Sequence, residues 1–307
     1  MGMRGQKPPR GSLGRELQGC QEFAKVQADL MQVVYYLGPE GTFSHILALK
    51  RFGKKADLRR CDTIDAVVEA SLKDPTSLGL VPVENSSGGT VYDTVDLLIR
   101  NCQHVHVVEE LALDVRIALL AKGDNVPQTI YSHFIQLKHH AEWLHRVYPY
   151  AQLRAVSSTA LAAKKAASSK TAAALASPGT ALIHGLKILK EPPNKGTLNV
   201  THFFIIQAGR PAPIPSSPLI KTALVAALPN VCGSLHKFLG PFARQKISLS
   251  RIVSRPVPGK PQTYVFFAEI EGNSTDPTIA RVIERAGKLS ESLVSLGSFT
   301  CGKRYKS

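Results

Sequence analysis

The sequence feature that most restricts the possible fold is in the first third of the chain, where short apolar segments of strand length alternate with segments of helical periodicity. Residues 33–37 and 78–83 are apolar stretches of strand length. Between them, Ile64, Val67 and Leu72 recur at helical spacing. Strands that alternate with helices at this spacing favour an α/β layer with a largely parallel sheet.

The same change of pattern continues through the middle of the chain. It predicts a strand over 105–122, a helix over 134–148 and an alanine-rich helix over 157–174. Further strands are predicted over 180–183 and 201–207.

A second unit follows a proline-rich segment. Residues 209–218 contain four prolines in ten positions, which indicates a linker. After it, the order strand, helix, strand, strand, helix, with a final strand, is typical of a small ferredoxin-like α+β domain. We expect five segments: a mobile N-terminal tail (1–32), a main domain (33–208), a linker (209–219), a second domain (220–300) and a basic tail (301–307).

Composition restricts the compartment and the partners. The five cysteines are scattered and form no CxxC pair, which favours free thiols in a reducing compartment. No apolar stretch is long enough to cross a bilayer, and the first 30 residues lack the apolar segment of a secretory signal. We expect a cytoplasmic protein without a membrane partner, with organelle import as the alternative.

The formal charge of +15 does not by itself indicate a nucleic-acid partner. The basic residues come in separated pairs such as Lys54-Lys55 and Arg59-Arg60, and aromatic residues make up only 7% of the chain. A basic stripe interleaved with stacking rings is therefore missing, and we expect no nucleic-acid binding. Two interpretations stay open: a solvated basic surface, or a positive potential that attracts a small dianion.

Two glycine turns are candidate anion sites. Gly38 and Gly41 lie after a strand and before a helix, where free amide groups would face an anion at the helix N-terminus. Gly88-Gly89 offers a second such terminus. Two amide-lined pockets on facing lobes would suit a substrate with two carboxylates, whereas the alternative is ordinary helix capping.

A set of short motifs occurs in a fixed order along the chain. They are residues 36–44 (YLGPEGTFS), 81–86 (VPVENS), 158–160 (STA), 199–203 (NVTHF), 228–235 (LPNVCGSL), 254–256 (SRP) and 264–267 (YVFF). Over roughly residues 33–300, this ordered set resembles the prephenate dehydratase family with a C-terminal ACT domain.

The resemblance implies a fold. It is a two-lobed α/β catalytic module, like a type II periplasmic binding protein, followed by a ferredoxin-like α+β ACT domain. Residues 33–101 with the returning strand 201–207 would form one lobe, and residues 105–193 the other. The active site would lie in the cleft between them.

The resemblance also implies an activity. Prephenate would be converted to phenylpyruvate with loss of water and carbon dioxide, in phenylalanine biosynthesis, without metal or cofactor. L-phenylalanine would bind as effector between paired ACT domains of a homodimer or homotetramer. The alternatives are arogenate as substrate, a paralogue that decarboxylates prephenate without dehydration, or a non-catalytic amino-acid sensor.

The same resemblance assigns roles to particular residues. Thr201 would donate a hydrogen bond to the leaving hydroxyl, and Phe203 would wall a dry pocket. The expected substrate-binding residues are Thr42, Phe43, Ser44, Glu84, Asn85, Ser86, Ser158, Thr159 and His202. The expected effector-binding residues are Asn230, Gly233, Ser234, Leu235, Ser254, Arg255 and Pro256.

The chain departs from the family pattern in three places. One is the polar loop before Asn199, where Lys195 stands at a position that is commonly acidic. His202 stands where the family has an arginine, and imidazole does not replace the two-pronged donor of arginine. In the second domain, Val253 stands in place of a glutamate and Cys232 in place of a proline. His202 is the best support for the sensor alternative, and Val253 predicts weaker effector binding.

Four histidines fall on or beside one predicted helix. They are His133, His139, His140 and His145. The last three lack the i, i+4 pairing of a two-histidine metal face, so we expect a solvated helix face and no metal.

Overall fold

The computed structural model describes residues 31–193, 199–209, 214, 219–257, 259–260 and 262–307. Most of the expected N-terminal tail and linker lie outside the described residues, as does most of the polar loop before Asn199.

The first hundred residues and the strand after them build most of lobe 1. Its elements are β1 (Gln32–Leu37), α1 (Phe43–Phe52), β2 (Ala56–Cys61), α2 (Ile64–Lys73), β3 (Leu78–Asn85), β4 (Gly89–Thr90), α3 (Tyr92–Arg100) and β5 (Val105–Asp114). β1 pairs in parallel with both β2 and β3, as the alternating pattern predicts. Helix α1 packs on one face of the sheet, and helices α2 and α3 pack on the other.

Lobe 2 follows. Its elements are β6 (Ala118–Ala121), β7 (Thr129–His133), α4 (Phe134–Val147), β8 (Gln152–Val156), α5 (Thr159–Ala167), β9 (Ala172–Ala176), α6 (Pro178–His184) and β10 (Lys187–Lys190). The described strands form a mixed sheet in the order β10-β6-β9-β7-β8. The two-lobed α/β architecture expected from the sequence is therefore confirmed.

The boundary between the lobes differs from the prediction. The strand expected over 105–122 is two strands, β5 in lobe 1 and β6 in lobe 2. The returning strand β11 (Val200–Ala208) pairs with β5 along its whole length, which keeps β5 in the lobe 1 sheet. The chain therefore crosses between the lobes at residues 115–117.

The alanine-rich region also differs from the prediction. The helix expected over 157–174 ends at Ala167, and Ala172–Ala176 is a fully buried central strand. The strand expected over 180–183 is helix α6, which Ser177 caps and Pro178 begins. Alanine favours helix in isolation, but its small side chain lets β9 lie between β6 and β7, and tertiary packing overrides the propensity.

The C-terminal domain comprises the elements after the linker. They are β12 (Ile220–Ala227), α7 (Ser234–Arg244), β13 (Leu249–Pro256), β14 (Tyr264–Glu271), α8 (Pro277–Gly287) and β15 (Ser292–Lys306). Its strands run in the order β13-β14-β12-β15, and both helices pack on one face of this sheet. The order of elements agrees with the predicted α+β domain.

The expected basic tail is a strand. Residues 301–306 are the second half of β15, which pairs in parallel with β5 of lobe 1. Its basic side chains find acidic partners on β5, since Lys303 contacts Glu109 at 2.8 Å and Arg304 contacts Asp114 at 2.6 Å. β15 thereby joins the two domains into one continuous ten-stranded sheet among the described residues.

The domains also share a hydrophobic core. Phe204 of β11 packs against Phe267 and Phe299 of the C-terminal domain, with ring centroids 6.3 and 5.5 Å apart. All three rings are fully buried, and aromatic contacts of this kind contribute beyond the area they bury. The C-terminal domain is therefore packed against the back of lobe 1 as well as linked to it by the chain. Within the described ranges, no helix is long and apolar enough to span a membrane.

Candidate active site

The cleft lies where the strands of both lobes end. β1, β3 and β5 are parallel to one another, so their carboxyl ends meet at one edge together with the start of β11. In lobe 2, β7, β8 and β9 are also parallel, and each leads into a helix at its carboxyl end. Ligands bind at this edge in open α/β sheets.

Asn85 and Thr201 form the most constrained polar pair at the lobe 1 edge. The Asn85 Nδ2 donates to Thr201 Oγ1 at 2.8 Å and to Asn199 Oδ1 at 2.7 Å. The Asn85 Oδ1 accepts from the amides of Ser87 and Gly88 at 2.9 and 2.8 Å. Thr201 uses its oxygen as acceptor, so its own hydrogen remains available, and no described residue accepts it.

Ser86 closes the same edge. Its hydroxyl accepts from the amide of Val200 at 2.9 Å, and its amide donates to the carbonyl of Val200 at 2.8 Å. These bonds tie the end of β3 to the start of β11. The expected substrate-binding residues Asn85 and Ser86 therefore lie beside Thr201, as the order of motifs indicates.

The turn after β1 is a helix cap. Thr42 Oγ1 donates to the carbonyl of Leu37 at 2.9 Å and accepts from the amide of His45 at 3.3 Å. The Gly41 amide donates to His45 Nδ1 at 3.0 Å, and burial lowers the pKa of His45, which favours this acceptor form. The polar groups of Thr42 and Gly41 are thus used inside the turn.

A pair of amide-lined pockets on facing lobes, expected for a dianion, is not found among the described residues. The amides of Ser87 and Gly88 are occupied by the Asn85 side chain. Both glycine turns, at Gly41 and at Gly88, also belong to lobe 1 and do not lie on facing lobes. The prediction was wrong for the second turn because the Asn85 side chain already accepts the hydrogen bonds that its free amides would give to an anion.

The two lobes touch next to the first turn. Thr180 of α6 donates from Oγ1 to the carbonyl of Gly41 at 3.1 Å. Gly41 has φ +85, and a Cβ there would lie 3.1 Å from the Thr180 methyl and 3.6 Å from Ala160, so only glycine suits the position. Ser158 caps α5 two residues before Ala160, and Thr159, the first residue of the helix, is buried. Ser158 and Thr159 therefore lie across the cleft from the turn that contains Thr42, Phe43 and Ser44.

A cavity of about 1020 Å³ opens beside Ser86. It lies between the carboxyl edge of lobe 1, the crossing segment and helix α4. Its lining is Ser86, Ser87, Asp114, Val115, Arg116, Ile117, Gln136, His139, His140, Glu191, Pro192, Pro193, Asn199 and Lys306. Thr201, Ser158 and Thr42 do not line it.

The cavity contains basic groups that the sequence analysis did not assign to a site. His139 and His140, expected on a solvated helix face, line its wall. Arg116 is paired with Glu191 at 2.9 Å, whereas the ammonium of Lys306 has no ion pair in the described part of the chain. The basic run near Lys306 is the available signal, but a basic run at this position predicts a solvated tail as readily as a binding site.

Three expected site residues contact other side chains of the protein, and two of them, Glu84 and His202, are 39% and 37% exposed. Glu84 accepts from Arg251 of the C-terminal domain at 2.7 Å. His202 Nδ1 lies 3.2 Å from Glu110 Oε1. Phe203 is 1% exposed and packs with the core of lobe 1 on the same face as Thr201. Glu84 and His202 therefore lie on the face of the sheet opposite Thr201.

A second, smaller cavity of about 240 Å³ lies in the C-terminal domain. Four of the expected effector-binding residues line it, namely Asn230, Gly233, Ser234 and Leu235. Arg255 does not, because its guanidinium pairs with Asp96 of α3 at 2.5 and 2.7 Å and lies over the ring of Tyr92. Ser254 and Pro256, on the same strand, also lie outside its lining.

These features define a class of protein: a two-lobed α/β enzyme whose cleft presents a fixed threonine hydroxyl, joined to an α+β domain with its own cavity. A family model described as prephenate dehydratase matches residues 34–211. The chain belongs to the prephenate dehydratase family.

Named relatives agree with this membership. The bifunctional chorismate mutase/prephenate dehydratase of Stutzerimonas stutzeri is 36% identical over 270 residues, covering 87% of this chain and 72% of that protein. The prephenate dehydratase of Lactococcus lactis subsp. cremoris is 30% identical and covers 87% and 97%. The structure of the Arthrobacter aurescens prephenate dehydratase in complex with L-Phe has a TM-score of 0.77, 28% identity and coverage of 87% and 90%.

Proposed function

We propose that this chain converts prephenate to phenylpyruvate, with loss of carbon dioxide and water, and that Thr201 serves the loss of the hydroxyl. The observation that carries the proposal is the Asn85–Thr201 hydrogen bond at the carboxyl edge of lobe 1. That bond fixes the threonine oxygen and leaves its hydrogen for an acceptor in the cleft.

The reaction requires a hydrogen-bond donor that is correctly placed at the leaving oxygen. The bond between ring carbon C1 and its carboxylate breaks, and its electron pair enters the ring as the ring becomes aromatic. The C4 hydroxyl leaves with its bonding electrons, so negative charge develops on the departing oxygen. A preorganised donor at that oxygen stabilises this charge in the transition state more than in the ground state.

The substrate carries two carboxylates, and the cleft supplies positive charge. Lys306, Arg116, His139 and His140 line the large cavity beside Ser86. Glu191 neutralises Arg116, so Lys306 is the side chain best able to attract the dianion. In this proposal the cavity receives the carboxylates, and Thr201 contacts the ring hydroxyl.

The C-terminal domain is in this account an ACT domain that binds L-phenylalanine as effector. Its smaller cavity includes Gly233, whose left-handed backbone (φ +81) begins α7 at Ser234. The amides of that first turn suit the effector's carboxylate, and Phe266 and Leu235 give the cavity an apolar wall.

The same domain offers a surface for a second copy of the chain. β13 is the edge strand of the sheet, and Ile252, Val231 and Tyr264 near it are 43%, 62% and 46% exposed. Apolar groups beside an open strand edge favour pairing, so the protein is a homodimer or a larger assembly of such dimers. The setting is cytoplasmic, in keeping with the four free cysteines in the described residues.

The test is product analysis with two substrates. Purified protein is incubated with prephenate or with arogenate, and phenylpyruvate and phenylalanine are quantified by mass. Phenylpyruvate from prephenate is expected, and Thr201→Val should lower its rate of formation about 100-fold or more. Thr129→Val, at the far end of a lobe 2 strand, is the matched control and should behave as wild type. Turnover of arogenate alone, or of neither compound, would contradict the proposal.

A further inference from the structure

Six charged or titratable side chains meet behind the active site, between lobe 1 and the C-terminal domain. We call them the junction cluster; its members are Glu84, Glu110, His202, Lys221, Arg251 and Glu269. They come from six different strands, three in each domain. Three are deeply buried: the side chains of Glu110, Arg251 and Glu269 are 4%, 8% and 0% exposed, whereas those of Glu84 and His202 are 39% and 37% exposed.

Arg251 and Lys221 bind the carboxylates of the cluster. Arg251 contacts Glu84 at 2.7 Å and Glu110 at 3.6 Å, and it also contacts Glu269 closely. Lys221 contacts Glu110 at 2.7 Å and Glu269 at 3.5 Å. Burial would raise the pKa of Glu110, but the hydrogen bond with His202 and the charges of Lys221 and Arg251 outweigh it and lower the pKa to about 2.

One oxygen of Glu110 depends on His202. Glu110 Oε1 and His202 Nδ1 are both buried and lie 3.2 Å apart, and neither atom has a well-aligned hydrogen bond among the described residues. Arg251 Nη2 lies 3.6 Å from the same Glu110 oxygen. Two bare acceptors at this distance would repel, so the contact is favourable when Nδ1 carries the proton and directs it at Oε1. The other ring positions are half-exposed, with 37% of the side chain accessible.

His202 is the residue after Thr201 on β11, so a contact that holds His202 also affects the position of Thr201. Thr201 faces Asn85 and His202 faces Glu84, as two consecutive residue pairs of β11 and β3. The register of these strands shifts immediately afterwards, between His202 and Phe203. The ladder with β3 is therefore interrupted at this end of β11, whereas the ladder with β5 runs without a shift from Val200 to Ile205. Glu110 belongs to β5, so its contact with His202 adds a side-chain link between these two strands where the link to β3 is irregular.

Both members of the second pair are anchored to the C-terminal domain. Arg251 holds Glu84 directly. Glu110, which Lys221 and Arg251 hold, in turn binds His202. The first pair, Asn85 and Thr201, has no such anchor and follows the second.

We propose that His202 is a positioning residue: its Nδ1–H···Glu110 bond holds the start of β11, and with it the hydroxyl of Thr201, in place against the C-terminal domain. This inference rests on the proposed dehydratase function. His202 acts through Glu110 and the sheet and does not touch the substrate, because it lies on the face opposite Thr201. A shift of about 1 Å at a reacting group is enough to lower turnover about 100-fold.

The test compares substitutions that retain a donor at the position of one or the other ring nitrogen of His202. Asparagine in place of His202 puts an amide donor where Nδ1 lies, whereas glutamine puts it where Nε2 lies. We expect His202→Asn to keep kcat within about 3-fold of wild type, and His202→Gln and His202→Leu to lower kcat about 10- to 100-fold. KM should stay within about 3-fold in all three, since no substrate contact is lost. His104→Asn, at an exposed histidine before β5, is the control and should change neither constant.

Two kinetic outcomes would overturn the proposal. Equal kcat in His202→Asn and His202→Gln would show that the Nδ1 bond has no role. A rise in KM with unchanged kcat would show that His202 contacts the substrate directly. Thermal unfolding by circular dichroism identifies a variant that has lost its fold, and the Asn and Gln pair, both polar and small, still decides the question if His202→Leu is lost.

A readout independent of turnover separates this proposal from the proposed function. The side-chain amide resonances of Asn85 report the geometry of the Asn85–Thr201 bond by NMR. They should shift in His202→Gln and stay near wild type in His202→Asn. If folded wild type makes no phenylpyruvate, the proposed function is wrong, but unshifted Asn85 resonances in His202→Gln would overturn the positioning role separately.

Discussion

Thr201 and His202 are neighbours on β11, yet they lie in two different regions of the molecule. Thr201 is at the cleft edge, where Asn85 holds its oxygen through one neutral hydrogen bond. His202 is on the opposite face, within a cluster of six charged or titratable groups that spans two domains. Thr201 has a single side-chain hydrogen bond, whereas the cluster around His202 is held by several ion pairs.

The difference shows that the fold places the residue proposed to act on the substrate, Thr201, on one face of the sheet and the residue proposed to hold the strand, His202, on the other. A residue that must donate in the transition state needs a free hydrogen, so its surroundings leave one donor unused. A residue that must fix a strand end needs partners that do not move, and buried ion pairs with full hydrogen bonding supply them. One strand serves both needs because its side chains alternate between the two faces.

The largest effect is expected where the supporting region is broken. Arg251→Met removes the guanidinium that contacts Glu84, Glu110 and Glu269, and it leaves a buried carboxylate under-compensated. Such a loss costs about 3–5 kcal/mol of the free energy of unfolding. Urea denaturation followed by circular dichroism measures it.

The control for that variant is an exposed pair. Arg146→Met removes the contact of Arg146 with Glu142 on α4, where both side chains are mostly exposed. It should change the free energy of unfolding by less than about 0.5 kcal/mol. A cost below about 1 kcal/mol for Arg251→Met would mean that the supporting region does not hold the domains together.

The free energy of unfolding should depend on pH through the carboxylates of the junction cluster. The folded pKa of Glu110, about 2, is below the model-peptide value of 4.5. Its ionisation therefore stabilises the fold above about pH 5, and this contribution, up to about 3 kcal/mol, is lost as pH falls towards 2. Glu269 acts in the opposite sense, because burial raises its pKa.

The measurement compares wild type with Glu110→Gln, which retains Glu269. The free energy of unfolding of wild type should fall more steeply between about pH 5 and pH 2 than that of the variant. Parallel curves would show that Glu110 is not held as a buried carboxylate by its neighbours.

The smallest effect is expected at the cleft mouth. Lys306→Ala removes one exposed positive charge from the large cavity and should raise KM for prephenate about 3-fold with kcat unchanged. Lys187→Ala, which removes a charge outside that cavity, should leave both constants unchanged. An equal response of the two variants would remove Lys306 from substrate binding.

The sequence predicts the cleft region better than the junction. The ordered motifs place Asn85, Ser86 and Thr201 together, and the structure brings them together. Strand alternation alone would have put His202 on the face opposite Thr201, but the motif was interpreted as one unit. Arg251 had no local signal, because two of its three partners, Glu84 and Glu110, lie more than a hundred residues away along the chain.

The remaining errors share a physical cause. Ala172–Ala176 was predicted as helix because alanine prefers helix, whereas its place in the centre of a sheet depends on neighbours from elsewhere in lobe 2. Residues 301–307 were predicted as a tail because basic residues resemble a solvated end. Their acidic partners on β5 become visible only once the sheet is assembled.

The central claim is that the hydroxyl of Thr201, held by Asn85, donates to the leaving oxygen of prephenate. The most direct test is the kcat for phenylpyruvate formation in Thr201→Ser and Thr201→Val, measured side by side. Serine keeps the donor, so its kcat should stay within about 10-fold of wild type, whereas valine keeps the shape without the donor and should lower kcat about 100-fold or more. Equal kcat values in the two variants would contradict the claim.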